Sequence, residues 1–283
     1  MPIRNYLKKK RIFHNYYRLL CNLKPFFTFS PILFFKQYLW FFNQHRLLKK
    51  MGPNKVFQEV EWYPCLFDKI THTPIDPVYF YQDSWAAGKV FEMKPRRHVD
   101  IGSSAKTMGI LSQFVPVTMV DIRPIGLALE SLNFVQASIT ELPFKDQSIE
   151  SLSCLCVVEH IGLGRYGDKL DPYGSEKAIM ELKRVLARGG YLLISLPVDK
   201  KNKIYFNAHR AFSYDYIREL FSGLDLVEEK FQYGPKMYPT YMPEKGFGTG
   251  MFMLRKKDVC YNAFLEKIRK KYIAKDISSY RKQ

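Results

Sequence analysis

Short apolar runs alternate with helical patterns along most of the chain. Apolar runs bounded by turn residues predict strands at 97–101, 117–121, 134–137, 150–157, 191–197, 224–230 and 250–255. Apolar positions at the helical period predict helices at 83–93, 105–114, 176–186 and 213–221. Strands that are apolar throughout and separated by helices favour an α/β fold, in which a mostly parallel sheet carries helices on both faces.

Two connections in this pattern are distinctive. The stretch between Asp121 and Ser138 is short, so we expect the helix that would cross between the second and third strands to be stunted or missing. Arg188-Gly189-Gly190 follows the helix at 176–186 and predicts a turn that ends it, because glycine suits the left-handed residue after a helix.

Charge divides the chain into four parts. We expect a basic, aromatic extension at 1–60, a lead-in loop and helix at 61–96, the α/β domain at 97–256 and a basic C-terminal helix at 257–283. Residues 1–60 hold 12 Lys and Arg against one acid, and residues 255–283 hold 10 against 3, whereas the residues between them are almost neutral. Basic ends suit an anionic partner such as a membrane surface, a nucleic acid or a phosphorylated substrate, or they are solvated tails.

The apolar segment at 26–42 allows three interpretations. It is nearly long enough to span a bilayer, but Pro31 and Lys36 interrupt it. Aromatic residues flanked by Lys and Arg fit a helix in the membrane interface, and a helical hairpin packed on the domain or on a second subunit is the alternative. The five cysteines include no CxxC pair, which is typical of reduced thiols in a cytosolic protein. We therefore expect a cytoplasmic protein, peripheral at the inner face of the membrane if the extension binds lipid.

The strand at 97–101 leads into a turn with the sequence DIGSS at 100–104. A glycine after an apolar strand lets the backbone approach a ligand, and the following amides and helix start offer donors to a carboxylate or phosphate. Asp121 ends the next strand, 21 residues after Asp100, where a carboxylate accepts hydrogen bonds from both hydroxyls of a ribose. The turn lacks the second and third glycines of the dinucleotide fingerprint.

Further motifs follow in a fixed order: LPFKDQSIE at 142–150, VVEH at 157–160 and RVLARGG at 184–190. With the turn and Asp121, they resemble the class I S-adenosylmethionine-dependent methyltransferases over about residues 97–255. Residues 151–168 and 204–210 resemble most closely a methyltransferase-like domain family of unassigned function found near bacterial surface-polysaccharide genes. The resemblance implies a Rossmann-like, seven-stranded methyltransferase sheet and S-adenosylmethionine as cofactor.

The resemblance also implies roles for individual residues. The turn containing Asp100, Gly102, Ser103 and Ser104 would wrap the methionine part of the cofactor, and Asp121 would hold the ribose. Ser138 stands where the family usually has an acid, and its hydroxyl would accept a hydrogen bond from the adenine amino group. The Ile139 amide would donate to the adenine ring. Two apolar positions complete the expected cofactor set, Ile122 and Leu155.

Candidate catalytic and substrate residues come after the fourth and fifth strands. His160 has the ordinary pKa of a base, Glu159 would orient it or bind a substrate hydroxyl, and His209 is a second candidate base. The predicted substrate residues are Arg165, Tyr166 and Arg210, the first two in a glycine-rich loop at 162–174 that would close over substrate. No metal is predicted, because Cys156 stands where some metal-dependent relatives carry a glutamate, and a thiol is a poor ligand for a hard cation.

These features predict a methyltransferase that modifies a hydroxyl of a sugar, glycan or other small molecule, with the extension near the membrane. A nucleic-acid methyltransferase is less favoured, because the sequence has no Asn-Pro-Pro-Tyr motif. A non-catalytic cofactor-binding protein is the third alternative.

Overall fold

The computed structural model describes residues 31–52 and 60–257, which belong to two compact units divided after Pro74. The predicted C-terminal helix and the first part of the apolar segment at 26–42 lie outside the described residues. In the first unit, helix α1 spans Pro31–Met51 and so begins at the proline that interrupts the segment. Trp62 donates from Nε1 to Nε2 of His45 at 3.2 Å and packs edge-on against Phe42. Within the described ranges, no helix has both the length and the apolar character needed to cross a membrane.

The second unit contains a ten-stranded mixed sheet. Its strands are β1 His98–Ile101, β2 Val117–Asp121, β3 Leu132–Gln136, β4 Ile149–Leu155, β5 Leu186–Asp199, β6 Lys203–Tyr205, β7 His209–Ser213, β8 Leu224–Tyr233, β9 Lys236–Tyr238 and β10 Gly248–Lys256. All seven predicted strands are present. The three unpredicted strands are β6, β7 and β9, and they are only three to five residues long, too short for an alternation to stand out.

The main sheet has the strand order β3-β2-β1-β4-β5-β10-β8-β9. The strands from β3 to β5 are parallel, whereas β10 is antiparallel to both β5 and β8. The chain moves outward from β1 to β3 on one side and from β4 to β5 on the other. A crevice therefore opens beyond the carboxyl ends of β1 and β4, where ligands bind in open α/β sheets.

Helices cover both faces of this sheet, as predicted. Helices α2 (Pro77–Met93) and α3 (Ala105–Leu111) share a core cluster with Leu193 and Met251. Helices α4 (Gly174–Val185) and α5 (Tyr214–Leu220) share a second cluster with Leu192 and Phe252. Adjacent residues of β5 thus face opposite helical layers, which explains why Leu192, Leu193 and Ile194 are all apolar and buried.

Two helix ends differ from the predictions. Helix α2 begins at Pro77, six residues before the predicted start, because Asp76 accepts from the Val78 amide at 2.9 Å and Pro77 fits the first helical position. Helix α4 ends at Val185 and β5 starts at once with Leu186, so Gly189, at φ +69°, lies inside a strand and not in a turn. The pairing of β4 with β5 shifts register here, which is where the left-handed glycine is needed. As expected, no helix separates β2 from β3.

Candidate active site

The turn after β1 brings the backbone of Gly102 close to the end of β4. Gly102 has a φ of +68°, and its N–H donates to the carbonyl of Val120 at 2.8 Å. A Cβ at this position would lie 3.1 Å from Cγ1 of Val157. Because a side chain at positive φ is strained and this one would also crowd Val157, the turn requires glycine.

Asp100 lies beneath this turn and holds its shape. Its carboxylate is fully buried, accepts from the Ser103 amide at 3.0 Å and accepts from the Ser153 hydroxyl at 2.5 Å. Burial raises the pKa of Asp100 to about 6, against the opposing effect of the hydrogen bonds from Ser103 and Ser153. Ser103 in turn accepts from the Leu155 amide at 2.9 Å, which ties the turn to β4. Asp100 is therefore a positioning residue for the turn.

A buried histidine extends this polar chain toward the start of β1. His98 contacts the Ser151 hydroxyl through Nδ1 at 2.8 Å and the Ser153 hydroxyl through Nε2 at 2.9 Å. Burial lowers the pKa of His98 to about 4, so its imidazole is neutral near pH 7. The chain of side chains fixes the rotamers of both serines and, through Ser153, the carboxylate of Asp100.

A cavity of about 220 Å³ lies at the crevice between β1 and β4. It brings together ten residues predicted for the site: Gly102, Ser103, Ser104, Asp121, Ile122, Ser138, Ile139, Leu155, His160 and Tyr166. The other five predicted residues do not line it: Asp100, Glu159, Arg165, His209 and Arg210. The predicted cofactor residues therefore converge, whereas the predicted substrate residues lie mostly beside or behind the cavity.

Asp121 lines the cavity from the end of β2, and its carboxylate is paired with Arg123. The Arg123 backbone N–H donates to Oδ1 at 2.8 Å, and the guanidinium donates to Oδ1 and Oδ2, each at 3.2 Å. The same guanidinium lies 4.4 Å from the centre of the Tyr166 ring. The carboxylate expected to hold a ribose is thus already engaged by a bidentate ion pair at the cavity mouth.

Ser138 and Ile139, which follow β3, form the part of the cavity wall next to Ile122. The Ser138 hydroxyl shares a 2.8 Å hydrogen bond with that of Thr140 and accepts from the Thr140 amide at 3.3 Å. Gln136 donates to the Ile122 carbonyl at 2.9 Å, so the loop after β2 is fixed against β3. This wall combines apolar side chains with one hydroxyl, a composition that suits a heteroaromatic ring.

His160 lies in the short 3-10 helix Val158–His160, directly after β4. Its Nδ1 is 2.6 Å from the Ala208 carbonyl, so this nitrogen carries the proton and Nε2 is the basic nitrogen. Burial lowers the pKa of His160 to about 4, so the ring is neutral near pH 7. Nε2 is 3.7 Å from Oε1 of Glu159. This geometry leaves Nε2 able to accept a proton.

Glu159 is buried behind the cavity wall, together with other polar groups. Burial raises the pKa of its carboxyl to about 8, so the group is mostly neutral near pH 7. The neighbouring Cys156 thiol, whose pKa burial also raises, contacts Oε1 of Gln82 at 3.0 Å, and Ser195 donates to the same oxygen at 2.6 Å. Oε2 of Glu159 and Nε2 of Gln82 are buried without a hydrogen-bond partner in the described part of the chain. Buried orphan groups of this kind are found at functional sites.

The glycine-rich loop after His160 is held in shape by Asp168 and Arg210. Asp168 accepts from the amides of Gly162 at 2.7 Å, Tyr166 at 3.2 Å and Gly164 at 3.4 Å. Burial would raise the pKa of Asp168, but these hydrogen bonds outweigh it and lower that pKa. Arg210 is buried and donates to the Ile161 and Asp171 carbonyls. Arg210, predicted as a substrate residue, thus contacts the loop's own backbone.

Among the lining residues outside the predicted set, four carry polar groups: Tyr79, Arg123, Cys156 and Asp168. Cys156 and Asp168 lie within residues 151–168, the stretch that resembles a methyltransferase-like domain family, so the sequence could have indicated their place at the site. Tyr79 comes from α2, far away in sequence, and no local pattern marks it. Arg123 follows Asp121 by two residues, and only the folded backbone shows that its side chain turns back onto the carboxylate.

A family model described as "Caenorhabditis protein of unknown function, DUF268" matches residues 129–237. The matched stretch contains Glu159, His160 and His209 but neither Gly102 nor Asp121. No curated protein matches the sequence.

Several solved structures resemble the chain. N-methyltransferase NodS from Bradyrhizobium japonicum WM9 is 16% identical, with a TM-score of 0.49 over 65% of this chain and 98% of that chain. Burkholderia thailandensis 1,6-didemethyltoxoflavin-N1-methyltransferase, solved with 1,6-didemethyltoxoflavin and S-adenosylhomocysteine, is 17% identical, with a TM-score of 0.44 over 66% and 94%. The [4+2]-cyclase SpnF is 13% identical, with a TM-score of 0.47 over 62% and 81%. At these identities and TM-scores, the resemblance carries no information on the reaction or the substrate.

Proposed function

We propose that this protein is an S-adenosylmethionine-dependent methyltransferase that methylates a hydroxyl of a sugar, glycan or other small molecule. The observation that carries the proposal is the convergence of the Gly102 turn, Asp121, Ser138 and His160 on one cavity at the strand-order reversal of the sheet. This is where open α/β sheets bind nucleotide-like ligands. The resemblance of the sequence motifs to class I methyltransferases supports the choice of cofactor.

The residues of the cavity suit the parts of this cofactor. Asp121 has two carboxylate oxygens for the two ribose hydroxyls, provided that Arg123 moves away. Ile122 and Ile139 offer apolar surface to the adenine, next to the Ser138 hydroxyl. Gly102 lines the cavity without a side chain, so its backbone would allow a close approach of the methionine part.

When bound, the cofactor supplies a methyl group on a sulfonium, which an acceptor hydroxyl attacks in line. The hydroxyl must lose a proton as its new bond to carbon forms, and the base we propose is His160, which lines the cavity and whose unprotonated nitrogen is Nε2. The Ala208 carbonyl holds the imidazole in the tautomer that leaves this nitrogen free to accept the proton. Glu159, 3.7 Å away, would stabilise the imidazolium if its own proton is lost.

Calorimetry with S-adenosylhomocysteine tests the cofactor assignment. We expect the wild type to bind and the Asp121→Asn variant to lose most of the affinity, because an amide offers one acceptor in place of two. Asp225→Asn is the matched control, since Asp225 is exposed and lies outside the cavity. Absence of binding to the wild type, or equal losses in both variants, would refute the assignment.

Transfer of a labelled methyl group from S-adenosylmethionine tests the reaction. We expect incorporation into a saccharide fraction as an alkali-stable methyl ether, and its loss in His160→Gln with S-adenosylhomocysteine binding retained. Incorporation into RNA alone would contradict the proposed substrate class.

We further propose that the N-terminal unit holds the enzyme at an anionic membrane surface. Ile32, Phe35 and Leu39 lie on one side of α1 and are all exposed, and Lys49 and Lys50 lie in its last turn. The chain should float with phosphatidylglycerol vesicles and not with phosphatidylcholine vesicles. Equal behaviour with both lipids would contradict an electrostatic contribution.

A further inference from the structure

Beside the cavity, aromatic rings from three separate segments form a continuous wall. His160 contacts Tyr166 edge-on, with ring centres 5.6 Å apart, and lies 6.5 Å from His209. His209 lies 5.0 Å from Tyr205 and 5.5 Å from Phe247. We call these five residues the aromatic wall. Two of them, His160 and Tyr166, also line the cavity, so the wall continues the cavity outward.

The fold places these rings together by backbone pairing. Tyr205 and His209 are cross-strand partners in the antiparallel pair of β6 and β7, so their side chains lie on the same face. Phe247 directly precedes β10, after Gly246 at φ +73°. His160 and Tyr166 follow β4.

The wall is not part of the hydrophobic core. Tyr166 is 37% exposed, Tyr205 is 41% exposed and Phe247 is 47% exposed. An exposed apolar patch that adjoins a cavity marks a ligand-binding surface more often than a packing surface. The tyrosine hydroxyls and the histidine nitrogens add hydrogen-bonding edges to the apolar faces.

The arrangement of the rings favours a puckered ligand over a flat one. The described contacts within the wall are edge-on, at 79° to 89°, or tilted, at 43° and 46°. None of these pairs forms a parallel slot that would sandwich a planar ring or a base. A wall of tilted rings instead offers faces to the C–H groups of a saccharide, whose hydroxyls reach the polar edges.

Positive charge lies at one end of the wall. The Arg165 guanidinium is 5.1 Å from the Tyr166 ring centre, and Arg123 lies over the same ring at 4.4 Å. Arg165 is exposed and donates to the Ala208 carbonyl at 3.0 Å. The nearest acid on this loop, Asp168, is engaged by backbone amides. An anionic group on the ligand would therefore find a guanidinium next to His160.

We propose that the aromatic wall is the acceptor subsite and that it binds an acidic saccharide, with the sugar ring against Tyr205 and Phe247 and its carboxylate or phosphate at Arg165. This inference rests on the proposed function, because it places the acceptor next to His160. It also explains the exposure of rings that the core does not use.

Saturation-transfer NMR on the full chain tests the subsite with three probes: methyl β-glucuronide, glucose 1-phosphate and methyl β-glucoside. We expect at least one of the two acidic sugars to bind, and the neutral glucoside to bind more weakly. Phe247→Ala should weaken that binding about tenfold, the upper range for an aromatic contact. Phe206→Ala is the matched control, since Phe206 is 73% exposed in the β6–β7 loop and belongs to no ring pair of the wall. Arg165→Gln should remove the preference for acidic sugars.

Four results would overturn the inference: no binding by either acidic sugar, equal binding of the neutral glucoside, equal losses in Phe206→Ala and Phe247→Ala, or displacement of the sugars by a short oligouridylate that binds more tightly. Calorimetry with S-adenosylhomocysteine on the same samples separates the two proposals. Cofactor binding without sugar binding would leave the proposed function intact and refute the subsite. Sugar binding without cofactor binding would refute the proposed function and would leave the wall as a saccharide-binding surface, not an acceptor subsite.

Discussion

Glu159 gives a quantitative prediction, because a buried carboxyl without full hydrogen bonding destabilises the folded state once it ionises. Its pKa is raised to about 8 in the folded protein, from an ordinary value of 4.5. Between these values the folded state keeps a proton that the unfolded state has released. Its stability therefore falls as pH rises through this window, by about 1.4 kcal/mol for each pH unit.

Glu159→Gln removes this titration while keeping the shape of the side chain. Relative to the wild type, the variant should gain stability from pH 5 to pH 8, by at most about 4 kcal/mol and by about 2 kcal/mol if water enters the site on ionisation. The difference between the two proteins cancels the titrations of His98 and Asp100, which occur in both.

Urea unfolding followed by circular dichroism at pH 5, 6, 7 and 8 measures this difference. Glu130→Gln is the control, since Glu130 is exposed and lies outside the cavity. The reasoning fails if the free energies of unfolding of Glu159→Gln and the wild type change in parallel across this range. Such a result would mean that Glu159 is hydrated or paired when ionised.

Two further predictions concern Arg123 at the cavity and the glycine-rich loop after His160. Arg123→Ala should tighten S-adenosylhomocysteine binding up to about fivefold, because it frees the Asp121 carboxylate from its ion pair. The gain is small because the guanidinium is 57% exposed, and an exposed ion pair contributes little free energy that the cofactor must overcome. Weaker binding in calorimetry would show instead that Arg123 contacts the cofactor. Gly162→Ala should destabilise the protein by about 2 kcal/mol more than Gly167→Ala in urea unfolding, because both glycines have positive φ but only the Gly162 Cβ would clash with the Asp171 carbonyl. Equal losses would show that backbone strain alone decides the outcome.

Much of the fold followed from the sequence because it depends on local chemistry. The seven main strands lie at runs rich in apolar residues, and both faces of the sheet are covered by helices, as predicted. Ser213 accepts from the Tyr216 amide at 3.4 Å and caps α5, as its position before an apolar helical pattern predicts. Gly102 follows β1 at a φ of +68°, a conformation that glycine adopts readily.

The sequence also predicted ten of the residues that line the cavity, for a reason that lies in the topology of the sheet. Parallel strands bring their carboxyl ends to one edge of the sheet, so residues that follow β1, β2, β3 and β4 must meet there. Gly102, Asp121, Ser138 and His160 each follow or end one of these strands, and all four line the cavity. Order along the chain therefore sufficed to bring them together, without knowledge of side-chain directions.

Only the tertiary structure decided which side chains face the cavity and which lie behind it. Glu159 and His160 are neighbours in sequence, yet Glu159 is buried behind the cavity wall, whereas His160 lines the cavity. Arg165 and Arg210 were both predicted to bind substrate, but the Arg210 guanidinium donates its hydrogen bonds to backbone carbonyls of residues 161–172. Burial and pairing depend on residues far apart in the chain, which a local pattern does not report.

The aromatic wall shows the same division most clearly. The sequence by itself was enough to predict the apolar strands, the turn at Gly102 and the residues at the carboxyl ends of the strands. It gave no sign that Tyr205 and Phe247 stand beside His160, because 40 or more residues separate each of them from it. That juxtaposition arises from the pairing of β6 with β7 and from the return of β10 beside β5. Such non-local pairing leaves no local pattern in the sequence, so only the tertiary structure reveals it.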